Sequence, residues 1–168
     1  LDRPLYIIAT ELGTFEAAVF REGSVAEAVH ASLAIPGIFT PVEIGEEKFV
    51  DGGVSDPLPV QTLFDAGMDR VIAVSVIPTV EELRQSRTEA ARRFKPPKGL
   101  RRALSWTNRH LNYFASGNVL DTLRRSAMGG QIRMAAANGK RADVFLRPIK
   151  CTGSWHDYHN YAEYVAEG

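Results

Sequence analysis

The run Phe49-Val50-Asp51-Gly52-Gly53 constrains this chain more than any other stretch. A short apolar segment ends on a carboxylate and is followed by two glycines, which let the backbone turn sharply where a side chain would restrict it. Such a turn leaves the Asp51 side chain at a strand end, able to project into a cleft instead of disappearing into packing. A carboxylate held there suits a catalytic base. It also suits an ordinary turn, where aspartate before glycine is common.

Around this point the chain alternates strand-like and helix-like text. Residues 5–10 and 15–20 are apolar runs separated by Glu11-Leu12-Gly13-Thr14, and they read as adjacent strands joined by a turn. Ser24 precedes a helical pattern of Val25, Ala28, Val29, Ala31, Ser32 and Ile35, with Glu27 placed to complete a capping box and Pro36-Gly37 placed to end the helix. Residues 59–66 form a short helix closed by Gly67, and residues 70–76 have the look of a buried parallel strand. Asn118 is placed to cap a helix carrying Leu120, Leu123, Ala127, Met128, Ile132 and Ala135 up to Gly139. A strand over 142–148 and a helix over 157–167 follow. This rhythm predicts an α/β layer architecture with functional loops at the carboxyl ends of strands.

Composition narrows the function classes. With 168 residues, 45% hydrophobic, 24% charged and a formal net charge of zero, the chain can bury a real core and carries no global signature of nucleic-acid binding. The single Cys151 excludes an internal disulfide and fits a reducing compartment, and no CxxC or Cys/His cluster offers a metal site. His156 and His159 stand at i,i+3 beside Asp157, a pattern that reads as a solvated helix start; no metal and no cofactor is expected. No apolar run reaches the ~18 residues needed to cross a bilayer, and no signal peptide is visible. The expected location is cytoplasmic, with contact at a membrane periphery.

That contact would come from residues 79–117, where nine Lys/Arg face three acids for a net charge of +6, broken by Pro96-Pro97. Two helices with a kinked link are expected. The segment reads either as a solvated excursion or as a surface attracted to anionic headgroups through Arg92, Arg93, Arg101 and Arg102, with Trp106 among the side chains available to insert.

The run Ala31-Ser32-Leu33-Ala34-Ile35-Pro36-Gly37-Ile38-Phe39, followed by Asp51-Gly52-Gly53, resembles the second sequence block of the patatin-like phospholipase family. The resemblance covers residues 5–76 and again 120–168, where an A-D-V-x-x-x-P tail precedes an aromatic-rich end. It implies a three-layer α/β/α fold with a mixed sheet, one patatin-like domain over 1–168 with a basic helical excursion at 79–117. It also implies a Ser-Asp dyad that cleaves phospholipid, lysophospholipid or related acyl esters. In that dyad Asp51 is the aspartate, and Gly52 and Gly53 form its supporting loop.

The resemblance also implies a G-x-S-x-G serine, and no serine here has that setting. Of nine serines only Ser55 has a glycine two residues before it, and Pro57 stands where the second glycine would be; Ser32 lies inside the helical pattern. The glycine-rich oxyanion loop G-G-G-x-[KR]-G of the family is absent too, since the glycine pairs are Gly52-Gly53 and Gly129-Gly130. The chain is therefore expected to be a C-terminal part of such a domain, inactive alone and partnered by the N-terminal part of the same domain. The alternative is a non-catalytic lipid-surface or partner-binding module on a patatin scaffold.

Overall fold

The structure is a computed structural model that describes residues 3–93, 119–148, 162, 165 and 166. The chain divides into two compact units, Leu1–Ser75 with Arg133–Leu146, and Val76–Ile132 with Arg147–Gly168. The fold is α/β, with both antiparallel and parallel pairings.

The first unit is built on a four-stranded antiparallel sheet whose spatial order is 17–20, 7–11, 47–51, 42–44. Strands β1 (Ile7–Glu11) and β2 (Ala17–Phe20) form the hairpin expected from the two apolar runs. Glu11 organises its turn by accepting hydrogen bonds from the Gly13 N–H and the Thr14 hydroxyl. Strands β3 (Val42–Ile44) and β4 (Glu47–Asp51) form a second hairpin around Gly45, whose φ of 65° belongs to the left-handed region glycine tolerates. The directly opposed Glu43 and Lys48 make an ion pair at 2.9 Å that favours this register.

β4 then pairs with β1, setting Asp51 opposite Ala9 and Val50 opposite Thr10. Because side chains alternate along a strand, Ala9, Phe49 and Asp51 share one face while Ile8, Thr10 and Val50 share the other. Helix α1 (Val25–Ser32) packs on the first face with Ala28 and Ala31 buried. The core there is Ala9, Ala31 and Phe49, bordered by Ala18, Phe20, Val42 and Ile44, with the Phe20 and Phe49 rings edge to face at 5.2 Å. Alanine on both helix and strand lets the two backbones approach closely.

Ser24 caps α1 as the sequence predicts, accepting the Glu27 N–H at 3.3 Å. The helix ends earlier than predicted, at Ser32 instead of at Pro36, and tightens through an Ala34 N–H to Ala31 O bond of 3.2 Å. Proline acts before its own position, since it disfavours helical geometry at the residue preceding it. The early exit frees the Ala34 carbonyl for another partner.

Helix α2 (Val60–Asp65) is closed by Gly67 at φ 87°. Strand β5 (Ile72–Val74) pairs in parallel with β6 (Val144–Leu146) in a separate two-stranded sheet. The parallel pairing is as expected, but full burial is not observed. Val71, Ala73 and Ser75 are buried, whereas Ile72 and Val74 are exposed together with Val144 and Leu146. Burial alternates along β5, as in a strand with one covered face, whereas all three residues of β6, Val144, Phe145 and Leu146, are exposed, whatever the hydrophobicity of the run. The parallel and antiparallel pairings expected of one mixed sheet thus occupy two sheets.

The second unit contains α3 (Val80–Arg93), begun by a complete capping box. Glu82 N–H donates to the Thr79 hydroxyl at 3.1 Å, and Thr79 N–H donates to Glu82 Oε2 at 2.7 Å. Arg147 adds a bond to the same Glu82 oxygen at 2.9 Å and another to the Ile77 carbonyl at 3.2 Å. Helix α4 (Val119–Gly139) contributes its residues up to Ile132 here, with Asp121 and Arg125 paired at 2.8 Å, and its remainder to the first unit. Among the described residues no helix is long and apolar enough to cross a membrane.

Candidate functional site

Asp51 is the last residue of β4 and the cap of the 3-10 turn Gly52–Val54. Its Oδ1 accepts the Gly53 N–H at 2.7 Å, so the second glycine of the pair orients the carboxylate. Among the described residues Oδ2 accepts no hydrogen bond, and the side chain is half-buried. The Asp51 N–H donates to the Ala34 carbonyl at 3.0 Å, which ties the Ala31–Phe39 stretch to the Asp-Gly-Gly block. Two blocks separated in sequence thus meet at one backbone bond.

Gly52 has a different role from Gly53. It is buried, and a Cβ built on it would stand 2.2 Å from the Ile8 carbonyl oxygen and 2.7 Å from the Ile8 carbonyl carbon. The chain can cross β1 at this point only without a side chain. Its carbonyl then accepts the N–H groups of Ser55 (3.2 Å) and Asp56 (2.9 Å), closing the turn.

Under the turn lies Thr10, fully buried on the opposite face of β1. Its hydroxyl donates to the Asp51 carbonyl at 2.9 Å and pairs with the Ser55 hydroxyl at 2.8 Å. A threonine hydroxyl has one proton, and Thr10 gives it to Asp51, so Ser55 is the donor in the second bond. Ser55 thus spends its proton on Thr10 and not on the Asp51 carboxylate. Ser32 closes α1, a helical setting unlike a strand-to-helix nucleophile turn.

The loop beyond is fixed by α4. Asn138 donates from Nδ2 to Asp56 Oδ1 at 2.8 Å and to the Leu58 carbonyl at 3.2 Å, and Arg141 donates to Gln61. Burial pushes the Asp56 carboxyl above its ordinary value, against the lowering influence of the Leu58 backbone, Asn138 and Arg141. Thr10, Asp56 and Asn138 are site residues that sequence reasoning passed over. Thr10 had a signal, being the hydroxyl that closes an apolar strand run; Asn138 had none, since its partners lie 80 and 82 residues away.

Arg92 and Arg93 are the last residues of α3, and Arg101, Arg102 and Trp106 lie outside the described residues. So do Asn118, the kinked link at Pro96-Pro97, Cys151, His156 and His159, and the expected helix over 157–167 apart from 162, 165 and 166. Among the described residues no three His, Cys, Asp or Glu side chains converge as metal ligands.

Residues 6–64 match the family described as Patatin-like phospholipase. The chain is also 37% identical over 76 residues to an uncharacterized NTE family protein of Mycobacterium tuberculosis and to one of Mycobacterium bovis. A second uncharacterized NTE family protein of Mycobacterium tuberculosis is 36% identical over the same length. These matches cover 45% of this chain, 21% of the first two relatives and 13% of the third, so the chain spans a small fraction of the relatives it matches.

Proposed function

We propose, taking as premise that this chain is patatin-like over residues 6–64, that Asp51 is the base of a Ser-Asp dyad in an acyl-ester hydrolase acting on phospholipid or lysophospholipid. The observation that carries this reading is the seat of the carboxylate. One oxygen is held by the Gly53 N–H and the other accepts no hydrogen bond among the described residues, at the end of a strand anchored on both neighbours. The serine comes from a G-x-S-x-G turn in the N-terminal part of the same domain.

In this mechanism Oδ2 takes the serine hydroxyl proton as the serine oxygen attacks the acyl carbon. The ester C–O bond then breaks, and the proton passes from Asp51 to the departing alcohol. Water, deprotonated by the same carboxylate, cleaves the acyl-serine ester and restores the hydroxyl. A base without a histidine intermediary must reach the serine directly, so its position matters more than its basicity.

The test is hydrolysis of a chromogenic acyl ester by the complete protein carrying this chain and a G-x-S-x-G turn. Asp51→Ala should lower kcat by about 10²–10⁴-fold in a protein that still folds, its stability lowered by no more than the loss of one side-chain cap, about 0.5–2 kcal/mol. Near-normal turnover would refute the dyad. The chain of 168 residues alone should show no hydrolysis above its own Asp51→Ala control.

A further inference from the structure

We infer that Thr10 is a positioning residue for Asp51, acting through a two-hydroxyl chain that runs Ser55 to Thr10 to the Asp51 carbonyl. The inference rests on the reading of Asp51 as the base and extends it to the opposite face of the sheet. The Asp51 backbone has two polar groups, and both are tied by long-range bonds: the N–H to Ala34 O at 3.0 Å and the carbonyl to Thr10 Oγ1 at 2.9 Å. The side chain has one further tie, Oδ1 to Gly53 N–H at 2.7 Å. Of the three partner groups only the Thr10 hydroxyl belongs to a side chain, and so only that tie can be deleted by a substitution that leaves Asp51 itself intact.

The physical case for a positioning role lies in the stiffness of the anchor. Thr10 is fully buried and sits in β1 between β2 and β4, so its backbone cannot drift. Its branched Cβ restricts χ1, which fixes where the hydroxyl points. The Ser55 proton, donated to the same oxygen, polarises the Thr10 hydroxyl and strengthens the bond it makes to Asp51. Ser55 follows the 3-10 turn that begins at Asp51, so the chain closes a ring: β4 end, turn, Ser55, Thr10 and back to the Asp51 carbonyl. A loop with an Asp-Gly-Gly sequence has wide conformational freedom, and this ring removes it. Without it the carboxylate would keep its chemistry and lose its aim.

The experiment uses the complete protein with its serine turn and compares Thr10→Val, Thr10→Ser, Ser55→Ala and Asp51→Ala in ester hydrolysis below the melting temperature. Thr10→Val keeps the shape and removes the hydroxyl; kcat should fall about tenfold to a hundredfold while KM stays within about twofold, because substrate binding is untouched. Thr10→Ser retains the hydroxyl and should recover kcat to within about threefold. Ser55→Ala removes only the polarising donor and should lower kcat about threefold to tenfold.

A Thr10→Val protein with kcat within about twofold of wild type overturns the inference, as does a Thr10→Ser protein as impaired as Thr10→Val, which would assign the effect to the methyl group. Should Thr10→Val not fold, Ser55→Ala decides, and its equality with wild type overturns the inference. Asp51→Ala separates the two levels. If that variant stays active, the dyad reading fails. If it is inactive while Thr10→Val is fully active, the dyad stands and the positioning role falls.

Discussion

Gly52→Ala is the smallest substitution that tests whether the turn is built as described. The added Cβ would lie 2.2 Å from the Ile8 carbonyl oxygen, about 1.2 Å inside an ordinary contact, and 2.7 Å from the carbonyl carbon. Both obstructing atoms are backbone, so no rotamer change relieves them. β1 is paired on both edges, with β2 and with β4, so it cannot retreat without disturbing one ladder. Overpacking commonly costs about 1–3 kcal/mol, and a clash with doubly paired backbone belongs at or above the top of that range, about 3 kcal/mol. With a urea slope of about 2 kcal/mol/M the midpoint of unfolding falls by about 1.5 M. Gly129→Ala and Gly130→Ala provide the contrast, since a Cβ at either meets nothing within 4 Å and both lie inside α4. Each should leave stability unchanged or raise it by about 0.5–1 kcal/mol. Urea unfolding followed by circular dichroism measures all three, and a Gly52→Ala protein within about 0.5 kcal/mol of wild type would refute the account of the turn.

Two carboxylates should give pH dependences of opposite sign. The Asp56 carboxyl is raised above 3.8 by burial, so between that value and the raised one the native state holds more protons than the unfolded chain, and this contribution to stability declines as pH rises through the window. Asp56→Asn should therefore be more stable than wild type at pH 7, with the advantage shrinking on acidification; a constant difference from pH 3 to 7 would contradict it. The Glu82 carboxyl is held below 4.5 by the Thr79 N–H foremost and also by Arg147, outweighing the opposing effect of burial, so its contribution is present above 4.5 and is lost as pH falls through the lowered value. Glu82→Gln should be less stable than wild type at pH 7 and approach it in acid, and a deficit that persists at low pH would count against the capping box as an ionic device. For residues 79–117, with their net charge of +6, we expect salt-sensitive co-sedimentation of the complete protein with vesicles containing anionic lipid. That binding should weaken when Arg92, Arg93, Arg101 and Arg102 are changed together to Glu; equal binding by both proteins would leave the segment a solvated excursion.

Local chemistry was legible in the sequence where it is decided locally. The β1–β2 hairpin, the Ser24 cap, the Gly67 stop and the position of Asp51 at a strand end all follow from residues within a few places of one another. The β3–β4 hairpin also had a signal that went unread, the alternation Val42-Glu43-Ile44 before Gly45. Burial was less legible. Residues 70–76 form the most hydrophobic run of the chain's middle, yet Ile72 is 65% exposed, because exposure depends on how many strands and layers a sheet acquires and not on the run itself. The Asn138–Asp56 bond joins residues 82 positions apart, and no periodicity encodes such a pairing.

The same distinction explains why the Asp-Gly-Gly block and the Ala-Ser-Leu-Ala-Ile-Pro run belong together. Asp51 shares a sheet face with Ala9 and Phe49, and that face is covered by α1 through Ala28 and Ala31. Larger residues at Ala9 or Ala31, both fully buried, would lift the helix from the strand and carry the Ala34 carbonyl out of reach of the Asp51 N–H. Pro36 acts on the same bond by ending the helix early enough to leave that carbonyl without a helical donor. Small residues, an early helix stop and a pair of glycines are three local sequence signals with one joint consequence, a carboxylate whose main chain is anchored from both faces of the sheet. The Asp51 motif is thus a property of the packed sheet and helix, and a peptide containing the block alone would not hold the carboxylate in place.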